Sequence, residues 1–390
     1  MRQGRLAKSN RSCDRNERII EDLYISTDQT TRMTAIWLDG PRRSLTRFGK
    51  APLFREGLYN LGKGCYAWMV PNGSWGETNI GLIECAGKSV LIDTCWDLKF
   101  TRELLSFCAE ILVRSPVELV VNTHADGDHC WGNQLFRGRE IIASHACISQ
   151  MHHLDPRAIH MLKRSGRLLG AVPIADIDKL GRYVSHMFGP YDFSSLSITD
   201  PTQGFSGEKT LRVNGVEIVL REVGPGHTDG DLIVYVPSRK TVYAGDVLFV
   251  GSTPVMWAGP VENIVTALRL LLQLDAEVIV PGHGPLATRT DVQAAIDYWE
   301  FAEGEIHKRY CQGMRPDQAA MDLVTGAAFQ QLQYVHWDSP ERMVTNAFTM
   351  YRDWDTSFKP LPGKLGQMDL LRRQARLAYT LLQPKPFHTD

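Results

Sequence analysis

NTHADGDHCWGNQ, residues 122–134, follows directly on the apolar run VELVV. It crowds His124, Asp126, Asp128 and His129 into six positions, with Gly127 between the two carboxylates. A tight loop after a strand aims alternate side chains at one point, and a glycine lets the backbone bend there without a Cβ penalty. Two imidazoles and two carboxylates so placed read as ligands for one or two neighbouring metal ions.

Four more polar clusters share this placement after an apolar strand. Asp93 follows SVLI, His227 lies in GPGHTDGD after VEIVLREV, Asp246 follows TVYAG, and His283 follows EVIVPG. Strand ends that converge on one rim of a sheet build a site from residues far apart in sequence. Imidazole and carboxylate without thiolate pairs is the donor set of a hydrolytic Zn²⁺, Fe or Mn²⁺ site. Asp246 between two ions would bridge them, as dinuclear hydrolytic sites require.

Taken in order, Asp93, the 124–129 cluster, GHT (226–228), AGD (244–246) and GHG (282–284) resemble the five motifs of the metallo-β-lactamase superfamily. The resemblance covers about residues 60–290 and implies an α/β fold, an αββα sandwich with metals at one edge. It implies that His124 and His227 help hold a first ion. Asp128, His129 and His283 would hold a second, and Asp246 would bridge. Asp93 would support the site from behind the ligands, and Asp128 would also relay a proton. One position departs from the pattern: H-x-H-x-D-H reads H-x-D-x-D-H here, with Asp126 in place of the second histidine. Either the Asp126 carboxylate ligates, adding negative charge that favours Fe or Mn²⁺ over Zn²⁺, or the first position is weakly filled and one ion suffices. One or two divalent ions are expected, zinc first, with Fe or Mn²⁺ as the alternatives.

The bland reading of these residues is polar capping of strand ends; for Asp93 it is capping of the next helix. Asp229 and Asp231 in HTDGD read as loop-fixing hydrogen-bonders, since no second histidine follows. Cys130 reads as a buried thiol. Trp131, Asn133 and Trp257 are candidate walls of the substrate pocket. His336 and Trp337 are placed to reach it from the C-terminal helices, or else pack at a helix start. His152, His153, His160 and His186 read as surface or cap residues.

The chain has 390 residues, 43% of them hydrophobic, and a net charge of -1. That supports a large core and no strong recruitment of nucleic acid or anionic membrane. The basic first eighteen residues carry no apolar segment of a secretory signal. No run of about eighteen apolar residues suggests a membrane span. The eight cysteines are dispersed without a C-x-x-C pair, which points to buried thiols in a reducing, cytoplasmic setting.

Residues 1–55 read as a poorly structured extension, and residues 56–290 as the metal-binding domain with a helical cap inserted at about 145–200. Residues 291–390 read as a helical C-terminal region. Hairpin turns are expected at Ala86-Gly87 and Asn214-Gly215, and a helix over FTRELLSFCAEIL (100–112). The expected function is hydrolysis of a small molecule's ester, thioester, lactone or amide by metal-activated water. The rival is a di-iron redox enzyme of the same fold, like the flavodiiron proteins but without their flavodoxin domain. A serine hydrolase finds no G-x-S-x-G elbow near a histidine.

Overall fold

The computed structural model describes residues 35–172, 174, 176–358 and 363–382. Thirteen strands among them form two sheets. The first contains β1 (Ile36–Asp39), β2 (Gly57–Gly62), β3 (Cys65–Met69), β4 (Ile80–Cys85), β5 (Lys88–Ile92), β6 (Val117–Val121), β7 (Glu140–Ser144) and β8 (Gln203–Phe205), in sequence order. It is antiparallel from β1 to β5 and parallel from β5 to β8. The second runs β13-β12-β11-β10-β9, built from β9 (Glu208–Val213), β10 (Val216–Glu222), β11 (Leu232–Val236), β12 (Thr241–Tyr243) and β13 (Val278–Val280). Only its β12–β13 pair is parallel.

Side-chain alternation explains why these strands read as unbroken apolar runs. In β5 and β6, Val90, Ile92, Leu119 and Val121 point into the space between the sheets, where they meet Leu220, Val234 and Tyr243 of the second sheet. Leu91 and Val120 point the other way, beneath the helices. Both faces are covered, so both must be apolar. The two expected hairpins form: Ala86 and Gly87 have φ of 46° and 93°, Asn214 and Gly215 of 45° and 84°. These are the left-handed pairs that two-residue hairpins need.

Helices cover the outer faces, completing the αββα order. Over the first sheet lie α1 (Leu98–Phe107) and α2 (Ala109–Arg114), which divide the expected single helix at Cys108. The one-turn α3 (Gly127–Cys130) and then α4 (His145–Gln150), α5 (Pro156–Leu169) and α6 (Ile177–Phe188) follow. The inserted segment does not keep a separate core. Ile159, Val184, Met187 and Phe188 join the same cluster as Leu91, Val120 and Ile141 of the sheet.

Over the second sheet lie α7 (Val261–Gln273), α8 (Arg289–Cys311), α9 (Pro316–Thr325), α10 (Ala327–Gln330) and α11 (Met343–Trp354), while α12 (Gly363–Leu381) also packs on α6. Val292, Ile296, Trp299 and Val344 share one core with Ile233, Val242 and Ile279. The C-terminal helices are thus part of the sandwich's outer layer.

One expectation for the N-terminal extension is corrected. Structure begins before residue 55: β1 pairs with β2, Arg47 pairs with Glu56 at 2.7 Å, and the Arg47 guanidinium stacks 3.2 Å from the Phe100 ring centroid. The apolar side chain of Phe54, buried in the core, explains why the chain here is held. Residues 1–34 lie outside the described residues. Among the described residues, all seven cysteines are free thiols and only Cys311 is exposed. No helix among them is long and apolar enough to cross a membrane.

Candidate metal centre

β6 ends at Val121 and hands the chain to Asn122, Thr123 and His124. Asp126, extended at ψ 142°, opens α3, which turns Asp128 and His129 back toward His124. Gly127 is required here for a different reason than loop bending. Its φ is not left-handed; instead, a Cβ would lie 2.5 Å from the Trp131 ring packed beneath it.

Asp93 follows β5 directly with φ 66°, a left-handed conformation that aspartate tolerates better than most residues. Its Oδ1 accepts the Thr123 N–H (2.7 Å), and its Oδ2 accepts the Thr123 hydroxyl (2.7 Å) and lies 2.8 Å from His129 Nδ1. It does not cap the next helix. That role falls to Asp97, whose Oδ1 accepts the Phe100 N–H.

These contacts place a proton on each Nδ1. His227 Nδ1 faces the Val255 carbonyl (2.7 Å) and His283 Nδ1 the Glu77 carbonyl (3.0 Å). A carbonyl only accepts, so both Nδ1 atoms carry the proton. The Asp93 carboxylate imposes the same on His129. Thr123 gives its one hydroxyl proton to Asp93, so it accepts from His124 Nδ1 at 2.9 Å. All four rings therefore carry a proton on Nδ1 and turn Nε2 inward, a lone pair wherever the ring is neutral.

Those atoms converge. Asp246 Oδ2 lies 3.8 Å from His124 Nε2, 3.4 Å from His227 Nε2 and 3.3 Å from His283 Nε2, and its Oδ1 lies 3.1 Å from His129 Nε2. Asp126 Oδ2 is 3.2 Å from His227 Nε2, and Asp128 Oδ2 is 3.6 Å from His283 Nε2. Three trios bring their ligand atoms within 4.8 Å of one another: His124, Asp126 and His227; Asp128, His129 and His283; and His124, His129 and Asp246.

The donor set fits divalent cations. The Nε2 atoms of His124, His129 and His227, and Asp246 Oδ1, are buried with no aligned hydrogen-bond partner. Buried polar atoms normally find one, and a cation would satisfy all four together. Charge points the same way. Burial raises the Asp246 carboxyl, but His283 and His129 outweigh it and hold it well below the usual carboxylate range. Burial opposes charge on His227, but Asp126 and Asp246 overcome it and raise the group to about 9. The carboxylates demand positive charge at this point.

Asp126 occupies the place of the missing histidine with its own support. Trp257 donates its indole N–H to Asp126 Oδ2 at 3.0 Å. Thr78 donates to Asp128 Oδ2 at 2.8 Å. Asp231 accepts from the Thr228 amide and hydroxyl, so it fixes the loop, as expected. The buried Cys130 thiol faces the Ala125 carbonyl.

A cavity of about 480 Å³ opens onto Asp126, Asp128, Asp246 and His283. Trp75, Trp96, Ile159, Leu162, Met187, Phe188 and Trp257 line it, with Met368 and Leu371 of α12. Of the three residues expected in its wall, Trp257 is there. Trp131 and Asn133 are not: Trp131 is buried under Gly127 and against Phe193, and Asn133 is spent on Asn122, Thr94 and the Thr199 carbonyl. His153 reaches the cavity; His152 instead pairs with Asp200 at the surface. Trp337 packs on Tyr298 and Tyr334. The residue of the stretch YVHWDSPERM that does reach the cavity is Arg342, which sequence reading passed over.

A family model for the metallo-beta-lactamase superfamily matches residues 73–283. Over 145 residues the chain is 30% identical to 2,4-dinitroanisole O-demethylase subunit alpha of Nocardioides sp. (strain JS1661), covering 36% of this chain and 41% of that one. Over 220 residues it is 20% identical to metallo-beta-lactamase type 2 of Bacillus cereus, covering 54% and 68%. The stereoselective inverting sec-alkylsulfatase from Pseudomonas sp. superposes with TM-score 0.59 at 15% identity, over 85% of this chain and 60% of that one. The likeness to the sulfatase is one of fold. The match to the demethylase subunit spans less than half of that protein's length.

Proposed function

The chain belongs to the metallo-beta-lactamase superfamily, and from that premise we propose that it is a metal-dependent hydrolase of a small, largely apolar molecule. The observation that carries this reading is the convergence of four buried Nε2 atoms and three carboxylates on the floor of an apolar cavity. In this reading His124, Asp126 and His227 would hold one ion, Asp128, His129 and His283 would hold a second, and Asp246 would serve both.

The ions, zinc in the first instance, would supply water acidified toward neutral pH and would polarise the bond under attack. The chain's own residues do the rest. Asp93, Thr123, and the Val255 and Glu77 carbonyls fix each ring's tautomer and direction, which raises ligand basicity and precision. Asp128, on the cavity wall and oriented by Thr78, takes a proton from the attacking water and returns it to the leaving group. The aromatic and aliphatic wall excludes bulk water, so charge interactions at the centre act in a lower dielectric. No nucleic acid or membrane is required as a partner.

Metal analysis of purified protein, coupled to a substrate panel, tests the proposal. The panel holds carboxylic esters, thioesters, lactones, amides and phosphodiesters. It also holds a β-lactam, a secondary alkyl sulfate and an activated aryl methyl ether, the classes named for the relatives. Stoichiometric metal with chelator-sensitive hydrolysis supports the reading; full turnover in chelator overturns it. Asp126 favours a second reading, a di-iron redox enzyme, because a carboxylate in this place suits a harder ion. Stoichiometric iron with a visible chromophore and no hydrolysis would select it.

A further inference from the structure

Arg342 is a buried cation that makes no ion pair within 4.0 Å. It ends the short turn Pro340–Arg342 that leads into α11, is 1% exposed, and lines the same cavity as Asp126, Asp246 and His283. One terminal nitrogen donates to the Thr253 carbonyl (2.9 Å) and the other to the Gly73 carbonyl (3.3 Å). Its Nε has no partner. Among the described residues, no carboxylate comes within 4.0 Å of the guanidinium. The nearby acids Glu341 and Asp338 feel its charge but direct their hydrogen bonds elsewhere: Glu341 accepts from the Tyr183 hydroxyl, and Asp338 from Lys50, Ser74 and Ser339.

A guanidinium stays charged even when buried, and a buried charge is costly unless paired. Two aromatic rings offset part of that cost here. Trp75 lies 4.5 Å and Phe249 5.6 Å from the guanidinium carbon, measured to their centroids. Both rings line the cavity. Phe249 also stacks on His283, with centroids 4.9 Å apart and planes 2° from parallel. One ring thus links the cation to the metal cluster. Holding two carbonyls uses two of five donors, which leaves Nε and one hydrogen on each terminal nitrogen.

We propose that Arg342 anchors an oxyanion of the substrate. The cavity then takes an amphiphile whose apolar body lies among Trp96, Ile159, Leu162 and Phe188. Its carboxylate, sulfonate-like or phosphate-like group meets Arg342 beside the reacting bond. A volume of about 480 Å³ suits a body of that kind. The three aspartates on the cavity floor would repel the same group unless cations neutralise them, so the preference belongs to the metal-loaded protein. The substrate assignment rests on the hydrolase reading; the binding preference does not.

The test is calorimetric titration of the metal-loaded protein with decanoate, decane-1-sulfonate and decan-1-ol. At least one anion is expected to bind tenfold or more tighter than the alcohol, the scale of a charge-assisted hydrogen bond. A tighter sulfonate marks a tetrahedral oxyanion, and a tighter carboxylate a planar one. Arg342→Gln is expected to abolish that margin while leaving decan-1-ol within about twofold, the scale expected for an unchanged apolar contact. An alcohol that matches both anions on the wild-type protein overturns the proposal without any variant. So does a margin that survives in Arg342→Gln, since the ions alone would then hold the anion. Should that variant not fold, Arg342→Met, which removes the charge and keeps an apolar wall, is titrated in its place with the same two outcomes. A preserved preference with no turnover on the panel would sink the hydrolase reading and leave the anchor standing.

Discussion

Asp93→Asn should weaken metal binding without touching a ligand. Asp93 accepts three hydrogen bonds, from the Thr123 amide, the Thr123 hydroxyl and His129 Nδ1, all at 2.7–2.8 Å. An asparagine offers one oxygen and one NH₂. If its oxygen keeps the Thr123 amide, the NH₂ faces both the hydroxyl and His129 Nδ1. The hydroxyl can reverse and accept, but its proton then meets the proton on His124 Nδ1, 2.9 Å away. His129 can escape the NH₂ only by moving its own proton to Nε2, which removes the inward lone pair. One lost charge-assisted bond is worth about 1.5–3 kcal/mol, or about tenfold to hundredfold in affinity. That range agrees with the usual cost of changing a residue that orients a metal-bound histidine. Competition for Zn²⁺ against a chromophoric chelator measures it, alongside thermal melting of metal-free protein. Wild-type affinity in Asp93→Asn, with a lower melting temperature of the metal-free form, would refute the tautomer argument and leave Asp93 a scaffold residue.

Other variants probe separate links. Gly282→Ala would drive a Cβ into Asp246 Oδ1 and place it 2.7 Å from the Gly245 carbonyl carbon. Overpacking of about 1–3 kcal/mol should lower the melting temperature and the metal content together; full metal content would show that the close approach is dispensable. Asp126→Ala should lower bound metal from two ions per chain to one by elemental analysis, whereas two retained ions would remove Asp126 from the ligand set. Asn346 accepts from the Met256 amide and donates to the Pro254 carbonyl, both at 2.9 Å. It thereby fixes the loop that carries Val255 and Trp257. Asn346→Ala should cost about 1–3 kcal/mol for each buried group left unpaired and speed hydrogen exchange at Met256. Unchanged exchange there would contradict the clamp.

The strand ends could be read from sequence because the central strands of each sheet are buried on both faces. That makes β5, β6, β12 and β13 apolar runs, and the ionisable residue within three positions after each run marks the rim. His124, Asp246 and His283 all follow from that one regularity. Side-chain direction did not follow. Trp131 and Asn133 are neighbours of the ligands in sequence, but the turn of α3 sends them inward, away from the cavity. Arg342 and α12 were illegible for another reason. They reach the cavity only because the C-terminal helices fold back over the second sheet and onto α6, and nothing local in PERM or LGQMDLL encodes that return. The left-handed φ of Asp93 was equally hidden, since its neighbours read as an ordinary strand end.

Seven residues from four loops should grip ions around Asp246. Anomalous difference maps from crystals of the metal-loaded protein, collected at the absorption edge of the bound element, test it most directly. Two peaks are expected flanking Asp246, one among His124, Asp126 and His227, the other among Asp128, His129 and His283. A fully active crystal with no peak among these side chains would contradict it.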